Sequence, residues 1–134
     1  MILVDSSVVL DLLTDDPNWA SWSEEILENL SLSDSLVIND VIYAEISVGY
    51  RTIEKLEGDL ALWNLRLTPI PRLALFEAGK TYRKYRSRAG TKTGVLPDFF
   101  IGAHAAVEGW PLLTRDVARI RTNFPSVTLI APER

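Results

Sequence analysis

The sequence predicts an α/β fold: a three-layer α/β/α domain over residues 1–134, with a mostly parallel sheet of four to five strands and helices on both faces. Three observations predict it. Short apolar runs alternate along the chain with helical patterns, the signature of a parallel sheet with crossover helices. The runs are continuously apolar rather than alternating, as expected of strands covered on both sides. The chain has 134 residues, 47% of them hydrophobic, which suits one compact core.

The first run is Ile2–Val4, which stops abruptly on Asp5. The next helical pattern is Asn18–Leu30, where Trp19, Trp22, Ile26 and Leu30 share one face. Those two tryptophans suit either the core or a groove for a partner helix. Leu36–Ile38 is the second strand, and Asn39 suits the cap of a helix running to about Tyr50. Thr52–Asn64 reads as a helix, with Gly58 as a point of interruption, and Leu67–Ile70 as the third strand. Arg72–Ala89 is a long helix ended by Gly90. "RAGTKTGV" follows as a loop inside the domain. Pro97 suits the first turn of a helix to about Glu108. Leu112–Leu113, a short helix Val117–Thr122 and Val127–Ile130 complete the pattern.

Composition narrows the function classes. There is no cysteine, so neither a disulfide framework nor a thiolate metal site is available, in keeping with a reducing compartment. The N-terminus lacks a basic segment, Asp5 breaks its apolar run, and no stretch is long enough to span a bilayer. The expectation is a cytoplasmic protein without membrane contact. The net charge of −4 conceals an asymmetry: residues 1–79 hold 14 acids and 4 bases, whereas residues 80–134 hold 4 acids and 10 bases. Such a split suits contact with nucleic acid or an oppositely charged partner.

The acids carry the chemistry. Sites in open parallel sheets form outside the carboxyl ends of the strands. Asp5 falls there after the first strand, Asp116 after "PLLT", and Asp98 in the first turn of a helix after "VLP". Singly, Asp5 and Asp116 also suit helix caps, and Asp98 suits the positive end of a helix. Glu45 is harder to assign to the surface. Its helical neighbours Val41, Ile42, Val48 and Gly49 offer no charge, and a carboxylate on an apolar stripe is costly unless paired or bound to a metal. Two charges about 5 Å apart repel by about 3 kcal/mol at an effective dielectric near 20, so a convergent cluster needs a counter-charge. With no cysteine and one histidine, an all-oxygen shell suits Mg²⁺ or Mn²⁺, and such sites serve phosphoryl transfer or phosphodiester hydrolysis. His104 lies six residues after Asp98, well round the helix from it, and reads as structural.

The stretches "ILVDSSVVLDLL", "VIYAEISVGY", "LPDFFIGAHAAVEGWPLLTRD" and "FPSVTLIAP" resemble, in that order and over essentially the whole chain, the PIN-domain ribonucleases. More closely they resemble the VapC toxins of prokaryotic type II toxin–antitoxin systems. The resemblance implies a PIN-like fold and a Mg²⁺- or Mn²⁺-dependent endoribonuclease. It matches Asp5, Glu45, Asp98 and Asp116 to the family's four acids. It also matches Ser6 and Thr114 to small hydroxyl residues that orient a carboxylate or a bound water. It further implies an antitoxin partner, an RNA substrate and a homodimer.

A basic segment, "GKTYRKYRSRAGTK", offers Lys80, Arg83, Lys84, Arg86, Arg88 and Lys92 for RNA phosphates, with Lys80, Arg83, Lys84 and Ser87 on one helical face. Tyr82 and Tyr85 read as core anchors rather than base-stacking platforms. Two other functions compete with the nuclease. A receiver-like phosphoacceptor domain also places acids and Mg²⁺ at a sheet edge, but it needs a lysine after a late strand, where this chain has "LLTRD" and "LIAPER". A non-catalytic RNA-binding module accounts for the basic helix and leaves Glu45 unexplained. A P-loop hydrolase is excluded for want of its glycine-rich Lys-Ser/Thr loop.

Overall fold

The computed structural model describes residues 1–88 and 96–132. Its elements run β1 (Ile2–Val4), α1 (Ser6–Leu13), α2 (Ala20–Ser31), β2 (Leu36–Ile38), α3 (Asp40–Ser47), α4 (Ile53–Leu62), β3 (Leu65–Leu67), α5 (Arg72–Ser87), α6 (Leu96–Glu108), β4 (Leu112–Leu113), α7 (Val117–Asn123) and β5 (Leu129–Ile130). The five strands form one sheet in the order β3-β2-β1-β4-β5, with every neighbouring pair parallel. This is the expected three-layer α/β/α architecture. Ile2, Leu3, Val4, Leu36, Val37, Ile38, Leu112 and Leu113 are all buried, which is why these runs carry no polar alternation.

The strand order sets the position of the functional edge. From β1 the chain moves outward one way through β2 and β3, then returns to the other side for β4 and β5. The reversal lies between β1 and β4, the point where open parallel sheets form a ligand crevice at the carboxyl ends of the strands. The backbone N–H of Asp5 donates to the Leu113 carbonyl at 2.9 Å, so the two strand ends that flank the crevice are held level.

Local chemistry explains most boundaries. Asn39 caps α3, its side chain accepting from the Ile42 N–H at 2.9 Å, and Thr52 caps α4 by accepting from the Lys55 N–H at 3.2 Å. Gly58 sits inside an unbroken α4. Gly102 lets α6 and α7 approach closely: a Cβ there would collide with the ring of Phe124.

Four expectations need correction. Helix α1 was not expected at all; Ser6–Leu13 is helical, burying Val8 and Val9 against the sheet. The third strand is Leu65–Leu67 rather than Leu67–Ile70, because Asn64 takes a left-handed turn (φ 60°) straight into it. The last strand is shorter than Val127–Ile130, and α3 ends at Ser47, before Tyr50. The end of the helix at Gly90, the "RAGTKTGV" loop from Ala89 to Val95, and Lys92 lie outside the described residues. No described helix is long and apolar enough to cross a membrane.

Candidate functional site

The site grows from the end of β1. Asp5 occupies the N-cap position of α1, yet its carboxylate caps nothing. Instead it is held from the side: Ser7 Oγ donates to Asp5 Oδ2 at 2.8 Å, and Thr114 Oγ1 donates to the same oxygen at 2.8 Å. Among the described residues, no hydrogen-bond donor reaches Asp5 Oδ1. Thr114 is buried at the end of β4 and also accepts from the Asp116 N–H at 3.0 Å. Asp116, at the N-cap position of α7, likewise makes no side-chain cap, and it is exposed. The capping roles open to Asp5 and Asp116 are therefore not the ones they fill.

Glu45 reaches the same edge from α3, half-buried. Ser6 Oγ donates to Glu45 Oε1 at 2.9 Å. Ser6 thus orients Glu45, while its neighbour Ser7 orients Asp5. Among the described residues no Lys or Arg forms an ion pair with Glu45. The apolar stripe expected around it is only partial, since Val48 is 87% exposed while Ile42 and Ile46 are buried. Burial pushes the Glu45 carboxyl above its ordinary range; the Ser6 hydrogen bond pulls it back, and the negative charges of Asp5 and Asp98 push it further up.

Asp98 enters from the first turn of α6. Arg119 Nη1 on α7 donates to Asp98 Oδ2 at 3.3 Å, with the arginine side chain largely exposed. Burial raises the Asp98 carboxyl, Arg119 opposes the rise, and the charges of Asp5 and Asp116 add to it. Glu45 and Asp98 thus both feel the charge of Asp5, Asp98 also that of Asp116, with Arg119 as the counter-charge acting on both Glu45 and Asp98. Among the described residues, no three acidic or histidine side chains stand close enough to make a ready-formed metal cage. The donors are nonetheless all oxygen, and Mg²⁺ is commonly held by one or two carboxylates while it keeps several waters. The donor set fits a hard divalent cation of that kind.

His104 is structural, as its sequence position suggested. It is fully buried on α6, and its ring packs 5.2 Å from that of Trp110. Asn39 Oδ1 is already engaged by the Ile42 N–H, so Asn39 Nδ2 is the donor to His104 Nδ1 at 3.1 Å. Burial pushes its pKa down, which keeps the ring neutral.

The basic face expected on α5 is present. Lys80, Arg83, Lys84, Arg86, Ser87 and Arg88 are all exposed. Tyr82 and Tyr85 turn the other way and pack on Phe99 at centroid distances of 5.3 and 5.5 Å, confirming them as anchors. Phe99 directly follows Asp98, so this packing fixes the basic half of α5 beside the turn that carries that acid.

Four residues at this edge were not singled out from the sequence: Ser7, Asp11, Arg115 and Arg119. Asp11 had a usable signal, being a lone acid in "VVLDLL", the kind of placement that drew attention to Glu45. Arg115 pairs with it across 104 residues, a relation that no local pattern carries.

Comparison with known proteins agrees with this geometry. The PIN domain family model matches residues 2–124. Ribonuclease VapC10 of Mycobacterium tuberculosis is 33% identical over 132 residues, covering 98% of this chain and 92% of that protein. Similar folds occur in VapBC2 from Rickettsia felis bound to a DNA fragment of its promoter (TM-score 0.74, 18% identity, 98% of each chain). They occur also in DNA-bound VapBC from Salmonella typhimurium (TM-score 0.73, 16% identity, 97% of this chain and 96% of that one). With a five-stranded all-parallel sheet and a family match across nearly all of its length, this chain belongs to the PIN domain family, in its VapC branch.

Proposed function

We propose that this protein is a Mg²⁺- or Mn²⁺-dependent endoribonuclease that hydrolyses RNA phosphodiester bonds as the toxin of a toxin–antitoxin pair. The observation that carries the reading is Asp5. Its carboxylate stands at the mouth of the crevice, held by two hydroxyls through one oxygen and used for no cap. The charge of Asp5 pushes up the carboxyls of both Glu45 and Asp98, and Asp116 adds to the push on Asp98. The relative named a ribonuclease supports the substrate class. A solved neighbour described as a toxin–antitoxin complex supports a cognate antitoxin as partner. A cytoplasmic homodimer follows from the family resemblance.

In this reading Asp5, Glu45, Asp98 and Asp116 hold the cation. A bound divalent ion would activate water and neutralise charge on the phosphoryl oxygens. Ser7 and Thr114 fix the rotamer of Asp5, and Ser6 that of Glu45, so these two carboxylates are held in a defined orientation before any cation arrives. Arg119, the exposed cation beside Asp98, would be available to a phosphate oxygen of the substrate. The test is direct: purified protein should cut RNA with Mg²⁺ or Mn²⁺ and stop cutting in chelator. RNA binding without cleavage under every metal condition would favour the non-catalytic RNA-binding module.

The electrostatics give a second expected result. Asp98 and Glu45 have folded pKa values above their unfolded ones, so the folded protein retains protons that the unfolded chain has released. Their contribution therefore falls as pH rises from about 4 through the raised folded values. In chelator at neutral pH, Asp98→Asn should melt above wild type and show a flatter decline with pH. The Arg119 pair that it weakens is exposed and stabilises little. Millimolar Mn²⁺ should raise the melting temperature of wild type more than that of the variant. Equal metal-induced rises would mean that Asp98 does not share a cation site.

The α5 face gives a third. Single-stranded nucleic acid binding loses about 0.7 in salt slope per phosphate contact removed. The triple change Lys80→Gln, Arg83→Gln, Lys84→Gln should weaken RNA binding at low salt and reduce the slope of log K against log salt by about 2. An unchanged slope would show that RNA follows another path.

A further inference from the structure

We propose that the Asp11–Arg115 ion pair is a positioning device that sets the spacing of the acids on the two sides of the crevice. This inference rests on the nuclease reading. Asp11, 2% exposed, projects from α1. Arg115 lies in the turn between β4 and α7, and its guanidinium grips Asp11 with two bonds, Nε to Oδ2 at 2.8 Å and Nη2 to Oδ1 at 2.9 Å. Ser23 Oγ on α2 donates to Asp11 Oδ2 at 3.1 Å, and the guanidinium lies 5.3 Å from the centre of the Trp19 ring. Carboxylate and fork are thus clamped on every side that the fold supplies.

The place of this clamp matters more than its strength. Arg115 stands between Thr114, which bonds Asp5, and Asp116. Its own backbone N–H donates to Ser7 Oγ at 3.3 Å, and that hydroxyl donates to Asp5 Oδ2. Asp5, Ser7 and Asp11 all sit on or at the start of α1. The β4–α7 turn is therefore tied to α1 at three points: the Thr114 hydroxyl on Asp5, the Arg115 backbone on Ser7 and the arginine fork on Asp11. A rigid tie between these two elements fixes where Asp116 and Arg119 stand relative to Asp5. A buried ion pair is a poor means of adding stability, since well-packed apolar residues often do as well. Two planar groups joined by two bonds do give a defined orientation.

The experiment compares wild type, the apolar double variant Asp11→Leu/Arg115→Met, and Arg115→Lys. The last keeps the charge and loses the fork. Two readouts are taken: kcat and KM on an RNA that wild type cuts in Mn²⁺, and the Mn²⁺ concentration that half-saturates the melting-temperature rise without RNA. The double variant should fold, lose 10–100-fold in kcat, keep KM within about twofold, and need more Mn²⁺. Arg115→Lys should lose less in the same direction. Wild-type kcat and Mn²⁺ response in both variants would overturn the proposal. If the double variant does not fold, Arg115→Lys decides alone by the same criteria. If wild-type protein cuts no RNA, the nuclease reading fails, while the Mn²⁺ melting shift still reports whether the pair positions the acids.

Discussion

Asp5→Asn should fold like wild type and lose RNA cleavage by at least about 100-fold. Both halves of this result follow from one carboxylate. Ser7 and Thr114 donate to the same oxygen, Oδ2. An asparagine can set its carbonyl oxygen in that place and accept both bonds, so neither hydroxyl is orphaned and the fold keeps its local order. The amide nitrogen then takes the position of Oδ1. A donor replaces an acceptor, and one negative charge is gone from the proposed cation shell. Metal ions contribute several kcal/mol of transition-state charge stabilisation, and about 2.7 kcal/mol is already a factor of about 100. The measurement pairs an initial-rate assay in Mn²⁺ with circular dichroism and a thermal melt. Wild-type rates in this variant would remove Asp5 from the site, whereas a collapsed melt would give the carboxylate a structural role instead.

Much of this architecture was legible in the chain because its signals are local. Continuous apolar runs of two or three residues marked the three inner strands β2, β1 and β4, and Asn39 announced its helix by capping chemistry that the structure bears out. The acids could be expected on one edge because Asp5 follows its strand directly, Asp116 comes three residues after the end of its own, and parallel sheets put strand ends together. What stayed hidden lacked a local signature. Helix α1 begins without a side-chain cap and contains two adjacent β-branched valines, a weak helical sequence made helical by burial of Val8 and Val9. The start of β3 depends on the backbone of Asn64, not on hydrophobicity, and Leu67 within it is half exposed. The division of labour between Ser6 and Ser7 turns on helix geometry: consecutive residues point about 100° apart, so one serves Glu45 and the other Asp5.

Arg115→Met alone should destabilise the protein by about 3 kcal/mol or more, and Asp11→Leu added to it should recover most of that loss. Removing the guanidinium leaves Asp11 nearly sealed from water, with Ser23 Oγ as its one remaining hydrogen-bond donor among the described residues. Breaking one side of a buried pair typically costs about 3–5 kcal/mol, because the other charge remains buried and uncompensated. The Arg115 side chain is 26% exposed, so water can reach part of the vacated space, which argues for the lower end of that range. The methionine retains apolar contact with Trp19, so lost packing adds little. Replacing the orphaned carboxylate by leucine removes the buried charge altogether, and for that reason the double variant should stand close to wild type. The double variant separates charge from packing, because a packing loss at Arg115 would persist when Asp11 is also made apolar, whereas a buried-charge penalty would vanish. Denaturant melts of wild type, single and double variants at one neutral pH would measure it. A deficit not relieved in the double variant would show that Arg115 supports the fold through packing rather than through its charge.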